Sequence, residues 1–83
     1  MHYVYVLISL KDRGWYIGET SNPINRLKDH NSGKVKSTKF RRPLELIYSK
    51  KYKDRNTAKK AERYYKSGAG RIKLKKEIGT KLH

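Results

Sequence analysis

The sequence predicts an α+β domain in which helices flank a small three-stranded antiparallel sheet, in the order β-β-α-β-α-α. Short runs rich in β-branched and aromatic residues predict the strands. Longer runs with helical spacing, each beginning at a capping residue, predict the helices. The 83 residues contain no repeat and no linker, so we expect a single domain over residues 1–83.

The first two strands are predicted to form a β-hairpin over residues 2–19. The run Tyr3–Ile8 is β-branched and aromatic. The same chemistry resumes at Trp15 after a turn signal at Lys11–Gly14. A third strand is predicted over Leu44–Tyr48, directly after a proline.

The register of this hairpin brings two tyrosines together. A four-residue loop between the strands puts Tyr5 opposite Gly18 and Leu7 opposite Tyr16. The two tyrosines then share one face as diagonal neighbours, within reach of a common ligand. Tyrosine is also an ordinary strand residue, so a purely structural role stays open.

Three helices are predicted from their boundary residues. A polar cap followed by proline begins the first, over residues 23–31, and Gly33 ends it. Asp54 caps the second, over residues 55–67, which the following glycines end. A short basic helix is expected over residues 71–78.

The first helix carries an arginine and a histidine one turn apart. The spacing of Ile24, Leu27 and Asn31 predicts its buried stripe. Arg26 and His30 then lie together on the flank of that stripe. A guanidinium beside an imidazole suits phosphate binding and proton transfer, although a solvated arginine and an incidental histidine would fit the same spacing.

The second helix carries a carboxylate close to its packing face. Ala58, Ala61 and Tyr65 form the predicted inward stripe, and Glu62 lies beside it. A carboxylate in that position is costly unless it has a partner. A hard divalent cation or a structural ion pair with Arg26 would supply one.

The charge of the chain indicates nucleic acid as its partner. It has 22 Lys and Arg against 7 Asp and Glu, a net charge of +15, which repels itself unless a polyanion is nearby. The longest uncharged apolar run, Tyr3–Leu10, is about half a membrane span, and no charged segment precedes it. We therefore expect a cytoplasmic protein with no membrane partner. The absence of cysteine excludes disulfides and thiolate zinc sites.

The chemistry-bearing residues together resemble the GIY-YIG nuclease superfamily. The motif positions are Tyr3-Val4-Tyr5, then Tyr16-Ile17-Gly18 with Tyr16 eleven residues after Tyr5, and then Arg26, His30 and Glu62. Each position alone is a weak signal, but the whole set, in this order and at this spacing, is specific to the family. The resemblance spans about residues 3–78 and is closest to small stand-alone bacterial members.

The resemblance implies hydrolysis of DNA phosphodiester bonds with one divalent metal ion, Mg²⁺ or Mn²⁺. Tyr5 and Tyr16 match the motif tyrosines, one of which helps to position or deprotonate the attacking water. Arg26 matches the arginine that contacts the scissile phosphate, and His30 matches a position that takes part in proton transfer. Glu62 matches the glutamate that holds the metal ion.

The resemblance and the charge also predict residues that bind nucleic acid. Gly18 matches the glycine that lets substrate approach the strand. The basic loop 34–42 is expected to contact the DNA backbone through Lys34, Lys36, Lys39, Arg41 and Arg42. The chain departs from the family pattern at Tyr3, which replaces a glycine, and at Glu19, where repair members carry a lysine.

The leading hypothesis is therefore a monomeric, metal-dependent endonuclease that acts in DNA repair or recombination, with branched or damaged DNA as candidate substrates. Two alternatives compete with it. One is a non-catalytic basic module that retains the fold and binds DNA or RNA. The other is a nuclease that works only with a partner protein.

Overall fold

The computed structural model describes residues 1–82, with side chains described as far as Gly79. Its elements are β1 (His2–Ser9), β2 (Trp15–Thr20), α1 (Pro23–Asn31), β3 (Leu44–Tyr52), α2 (Arg55–Lys66) and α3 (Gly68–Leu82). A 3-10 turn at Lys39–Arg41 lies between α1 and β3. The predicted fold class and element order are confirmed; residue 83, the end of the predicted domain, lies outside the described residues.

The three strands form one antiparallel sheet in the order β2-β1-β3. Tyr5 pairs with Gly18 and Leu7 with Tyr16, which confirms the predicted hairpin register. β3 extends to Tyr52, four residues beyond its predicted end, because it continues to pair with the start of β1. The added residues are mostly exposed and include two lysines, as is common at a sheet edge.

Both faces of the sheet are covered by helices. On one face, Val4 and Val6 pack with Ala58 and Tyr65 of α2 and with Leu74 and Ile78 of α3. On the other face, Tyr5 and Leu7 pack with Leu44 and with Leu27 of α1. β1 is central and alternates between the two faces, so its residues 4–7 are all buried. Across the described residues, no helix has the length and apolar character needed to cross a membrane.

The boundaries of α1 and α2 follow their caps as predicted. The Asn22 side chain accepts a hydrogen bond from the Asn25 amide at 3.1 Å, and Gly33 adopts a φ of 85° after the helix ends. Asp54 accepts from the Thr57 amide at 2.8 Å, and α2 ends at Lys66, one residue before the predicted end. These boundaries depend on local contacts, which explains why the sequence predicts them well.

The third helix begins at Gly68, three residues before its predicted start at Arg71. Gly68 and Gly70 do not form a loop after α2, because both belong to the first turn of α3. The Ser67 hydroxyl instead accepts a hydrogen bond from the Gly70 amide at 3.2 Å, as an N-cap residue does. A Cβ on Gly70 would lie only 1.9 Å from the Tyr64 carbonyl oxygen, so glycine is required where α3 crosses the end of α2.

The predicted buried stripe of α1 is wrong in part. Ile24 is 57% exposed, while Leu27 packs against the core. The Asn31 side chain bonds the backbone N–H and C=O of Leu44 at 2.8 and 2.9 Å. His30, predicted on the flank, is completely buried. Burial of His30 is possible because both ring nitrogens have hydrogen-bond partners.

Candidate active site

Three aromatic rings form a cluster on the α1 side of the sheet. The ring centroids of Tyr5 and Tyr16 are 6.2 Å apart, which confirms that they are diagonal neighbours. His30 of α1 lies edge-on to both, at 5.8 Å from Tyr5 and 4.7 Å from Tyr16. Tyr5 is 1% exposed, whereas Tyr16 is only half-buried. Tyr16 is therefore the phenol of this cluster that solvent can reach.

A row of hydrogen bonds runs from β1 through His30 to the loop before β3. The Tyr5 hydroxyl lies 2.9 Å from His30 Nε2, and His30 Nδ1 lies 2.7 Å from the Thr38 hydroxyl. The Thr38 hydroxyl has the Val35 carbonyl oxygen at 3.5 Å as its own acceptor. Thr38 is completely buried, so this row connects groups that water does not reach.

The Thr38 hydroxyl donates to the Val35 carbonyl oxygen, which indicates where the proton of His30 lies. Burial, with the positive charge of Arg26 as a second cause, lowers the pKa of His30 to about 4, so the imidazole is neutral near pH 7. A neutral imidazole has one donor and one acceptor nitrogen. The hydroxyls of Tyr5 and Thr38 can satisfy both if Tyr5 O–H donates to Nε2 and Nδ1–H donates to Thr38. The histidine is then held in one tautomer.

Arg26 presents a positive charge beside the buried phenol. Burial raises the pKa of Tyr5 to about 12, and the interaction of its hydroxyl with the Arg26 guanidinium opposes that rise. On its other side, Arg26 Nη1 lies 3.7 Å from a carboxylate oxygen of Asp29. The Arg26 side chain is 38% exposed. The guanidinium is therefore oriented by two neighbours and still accessible to an anion from solvent.

Glu62 approaches the same cluster from α2, which packs on the opposite face of the sheet. Its negative charge contributes to the raised pKa of Tyr5, so the carboxylate lies near the phenol. The predicted alternative, an ion pair between Glu62 and Arg26, is not formed. Glu62 instead faces Lys66 at 3.6 Å, one helical turn along, while Arg26 faces Asp29. The Glu62 side chain is 22% exposed.

The donor set fits a divalent ion held by one carboxylate. Within the part of the chain whose side chains are described, no group of three or more His, Asp or Glu residues could hold a metal ion. These residues therefore do not form a complete set of protein ligands for a metal ion. Mg²⁺ is commonly bound through one or two carboxylates, with water and substrate phosphate oxygens as the other ligands. The accessible Glu62 carboxylate suits that mode.

Gly18 provides the space in which the Tyr5 hydroxyl lies. A Cβ at Gly18 would be 2.7 Å from Tyr5 Oη and 2.8 Å from Tyr5 Cζ, closer than nonbonded atoms approach. Only glycine at this point of β2 lets the phenol cross the strand and reach His30. The contact between Gly18 and nucleic acid stays a prediction.

The basic loop contains cations in two different situations. Arg41 is half-buried and faces Asp12 at 3.0 Å, so it ties the loop to the β1–β2 turn. Arg42 Nε donates to the Lys39 carbonyl oxygen at 2.8 Å. Lys34, Lys36 and Lys39 are exposed. Their predicted contacts with DNA, like those of the two arginines, remain untested.

A line of cations beside β2 lies outside the predicted loop 34–42, although three of its four members belong to the basic stretch 63–76, whose charge also predicts contacts with the nucleic-acid backbone. Two adjoining depressions lie along this edge strand, and both include Trp15 and Arg71. The cations that line them are Arg13, Lys66, Arg71 and Lys75. Tyr16 lines the first depression, so positive charge extends along the strand to the aromatic cluster. The spacing of Arg71 and Lys75, four apart on one helix, was the available signal.

Glu19, which departs from the family pattern, contacts Arg55 at the start of α2 and His2 at the start of β1. One carboxylate oxygen lies 3.7 Å from Arg55 Nε, and the other lies against the imidazole of His2. By strand alternation Glu19 faces away from the neighbouring Gly18 and Tyr5. Glu19 also lines an open depression that includes Arg26 and Asp29.

The chain is similar to several known proteins. A model of the GIY-YIG catalytic domain matches residues 1–76. The UPF0213 protein YazA of Bacillus subtilis (strain 168) is 44% identical over 66 residues, which cover 78% of this chain and 66% of YazA, just under two thirds. The UPF0213 protein SH2523 of Staphylococcus haemolyticus is 39% identical over 75 residues, covering 89% of this chain and 90% of that protein.

A solved structure is also similar to this chain. The solution NMR structure of the UPF0213 protein BH0048 from Bacillus halodurans matches with a TM-score of 0.52 and 36% identity. The match covers 88% of this chain and 80% of that one. The names of these relatives state a protein family and no activity. Because the domain model matches residues 1–76 of its 83 residues, the chain belongs to the GIY-YIG family.

Proposed function

We propose that this protein is a metal-dependent endonuclease that hydrolyses phosphodiester bonds in DNA. The observation that carries the proposal is the 2.9 Å contact between the Tyr5 hydroxyl and the neutral His30, next to the accessible guanidinium of Arg26. Phosphodiester hydrolysis needs an oriented nucleophile, positive charge at the phosphate and a route for protons. Groups of these three kinds meet here in a protein of net charge +15.

Arg26 is the group proposed to hold the scissile phosphate. Its guanidinium is oriented by the Tyr5 hydroxyl on one side and by Asp29 on the other, so little side-chain freedom is lost on binding. A guanidinium matches two phosphate oxygens at once, which a lysine does not. The charge that develops on the phosphate would then be stabilised by a donor that is already in position.

The two tyrosines are proposed to have different roles because they differ in exposure to solvent. Tyr16, which solvent reaches, is proposed to orient the attacking water. Tyr5, which is buried, orients Arg26 and connects it to His30. His30 hydrogen-bonds the Tyr5 hydroxyl through Nε2 and is the group proposed to take part in proton transfer, with that hydroxyl as its link to Arg26 and the phosphate.

Glu62 is the residue proposed to hold the divalent ion, together with oxygens of the substrate. When bound, Mg²⁺ or Mn²⁺ would supply Lewis acidity that stabilises negative charge on the phosphate. With Lys66 only 3.6 Å away, Glu62 is partly neutralised in the free protein. Weak metal binding without DNA is therefore expected.

The proposal is tested by cleavage of plasmid and branched DNA with Mg²⁺ or Mn²⁺. We expect Glu62→Gln to lower the cleavage rate by at least about 100-fold, because it removes the proposed metal ligand, and loss of one group that stabilises charge in the transition state commonly costs that much. Glu45→Gln, which removes an exposed carboxylate from β3, is the matched control and should cleave normally. DNA affinity measured in EDTA should be similar for all three proteins. Cleavage by Glu62→Gln at the rate of the wild type would overturn the proposal.

The same assay separates the competing functions. Salt-sensitive DNA or RNA binding with no cleavage under any metal condition would indicate a non-catalytic module. Cleavage that requires added cell extract would indicate a nuclease with a partner protein. A preference for branched or damaged DNA over intact plasmid would support a role in repair or recombination.

A further inference from the structure

Phe40 is an aromatic residue that takes no part in the core. It is 76% exposed, more than any other large hydrophobic residue of the described side chains. It lies in the 3-10 turn Lys39–Arg41, between α1 and β3. A ring in this position contributes little to folding, because its apolar surface stays in water. The apolar ring is therefore available to a ligand.

The backbone that presents Phe40 is held firmly. Lys11 Nζ donates to the Phe40 carbonyl oxygen at 3.2 Å. The buried Ser9 hydroxyl donates to the carbonyl oxygen of Arg41 at 2.6 Å, and Arg42 Nε donates to that of Lys39 at 2.8 Å. The turn is therefore ordered before any ligand arrives, which lowers the entropy lost on binding.

The surroundings of the ring are positively charged. Phe40 lines an open depression with Lys11, Asn31, Lys39, Arg42 and Pro43. This lining contains three cations and no carboxylate. Lys39 Nζ lies 5.6 Å from the centre of the Phe40 ring. An acidic ligand with a flat apolar face would complement both the charge and the ring.

A nucleotide with an unpaired base has that chemistry. Its phosphates meet lysine and arginine, and its base stacks on an aromatic ring whatever its identity. In an intact duplex the base faces are covered by their neighbours, so the ring has nothing to stack on. The charged groups would bind both forms, whereas Phe40 would distinguish them.

We propose that Phe40, with Lys11, Lys39 and Arg42, forms a stacking site for an unpaired nucleotide of DNA. The loop that carries this site also carries Thr38, two residues earlier, which bonds His30 at 2.7 Å. Asn31, which lines the depression, directly follows His30. An unpaired nucleotide held on Phe40 is thus bound by the same loop that orients the proposed catalytic histidine. The inference deepens the proposed nuclease function and rests on it only for the link to cleavage.

Binding of the full chain to fluorescent 12-nucleotide single-stranded DNA, compared with a duplex of the same sequence, tests the site. The measurement is made in EDTA, so its result does not depend on whether the protein cleaves DNA. We expect Phe40→Ala to weaken single-strand binding by about 5- to 150-fold, the range given by one stacked base. Duplex affinity should change less than about two-fold, which is within ordinary variation for a surface residue.

Two variants make the comparison specific. Phe40→Trp preserves a ring and should retain single-strand affinity. Ile72→Ala removes another exposed apolar side chain, 61% exposed, from a helix that is also basic, and should have no effect. Because Phe40 is exposed, circular dichroism should show that Phe40→Ala folds normally.

The salt dependence separates stacking from charge. Phe40→Ala should leave the slope of log affinity against log salt unchanged, whereas Lys39→Ala should reduce it by about 0.7 on single strands. The proposal is overturned if Phe40→Ala weakens duplex and single strand equally, or weakens neither. It is also overturned if the variant loses affinity only for vesicles of phosphatidylglycerol, which would indicate a lipid surface.

Discussion

Thr38→Val removes the one hydroxyl that faces His30 Nδ1 in the buried row. Thr38 is completely buried and its hydroxyl lies 2.7 Å from that nitrogen. Valine has nearly the same shape, so the change creates no large cavity. It leaves a buried N–H without a partner, which costs about 1 to 3 kcal/mol. In a domain of this size each kcal/mol corresponds to about 4 to 8 °C in Tm.

The assay is urea or thermal unfolding of the wild type, Thr38→Val and Thr38→Ser. Serine keeps the hydroxyl and loses one methyl group, so it should be the milder change, at about 1 kcal/mol. The double variant with His30→Phe provides the stricter test, because it removes the N–H that Thr38→Val leaves without a partner. The two changes should then be non-additive by about 1 kcal/mol or more. Equal stability of the valine and serine variants, together with additivity in the cycle, would refute the hydrogen-bonded row.

Three further predictions follow from the same cluster and its surface. Gly18→Ala should destabilise the protein by about 1 to 3 kcal/mol, because its Cβ would lie 2.7 Å from Tyr5 Oη; Gly79→Ala, in a helix with no atom within 4 Å, should stabilise it slightly in the same denaturation experiment. His30 binds a proton at a pKa of about 4 when folded and near 6.5 when unfolded, so the free energy of unfolding should fall as the pH is lowered from 6.5 to 4. His30→Gln should flatten that dependence, and an unchanged pH profile would contradict it. Arg71→Ala and Lys75→Ala should each reduce the salt slope of duplex binding by about 0.9, whereas an unaltered slope would remove these cations from the DNA-binding surface.

The hairpin and the starts of α1 and α2 were predictable because each depends on neighbours in sequence. A four-residue loop and a side-chain period of two suffice to put Tyr5 opposite Gly18. Asn22 and Asp54 cap helices through amides three residues away. The motif residues could be selected from their order and types, before any contact between them was known.

The state of His30 was decided by the tertiary structure. Its spacing on α1 places it beside the apolar stripe, yet it is buried while Ile24 is exposed. The difference arises because Tyr5 from β1 and Thr38 from the following loop satisfy both ring nitrogens. Neither partner belongs to the helix, so its periodicity carries no information about them.

The roles of the charges were likewise decided by contacts distant in sequence. Arg41 and Lys39 both carry a positive charge in the same loop. Arg41 is paired with Asp12, 29 residues away in sequence, whereas Lys39 is exposed beside Phe40. The sequence by itself determined the order of the elements, the hairpin register, the caps of α1 and α2 and the net charge, because these depend on local order and composition. Only the folded structure decided which polar groups are buried and paired, because that depends on which segments the sheet and helices bring together.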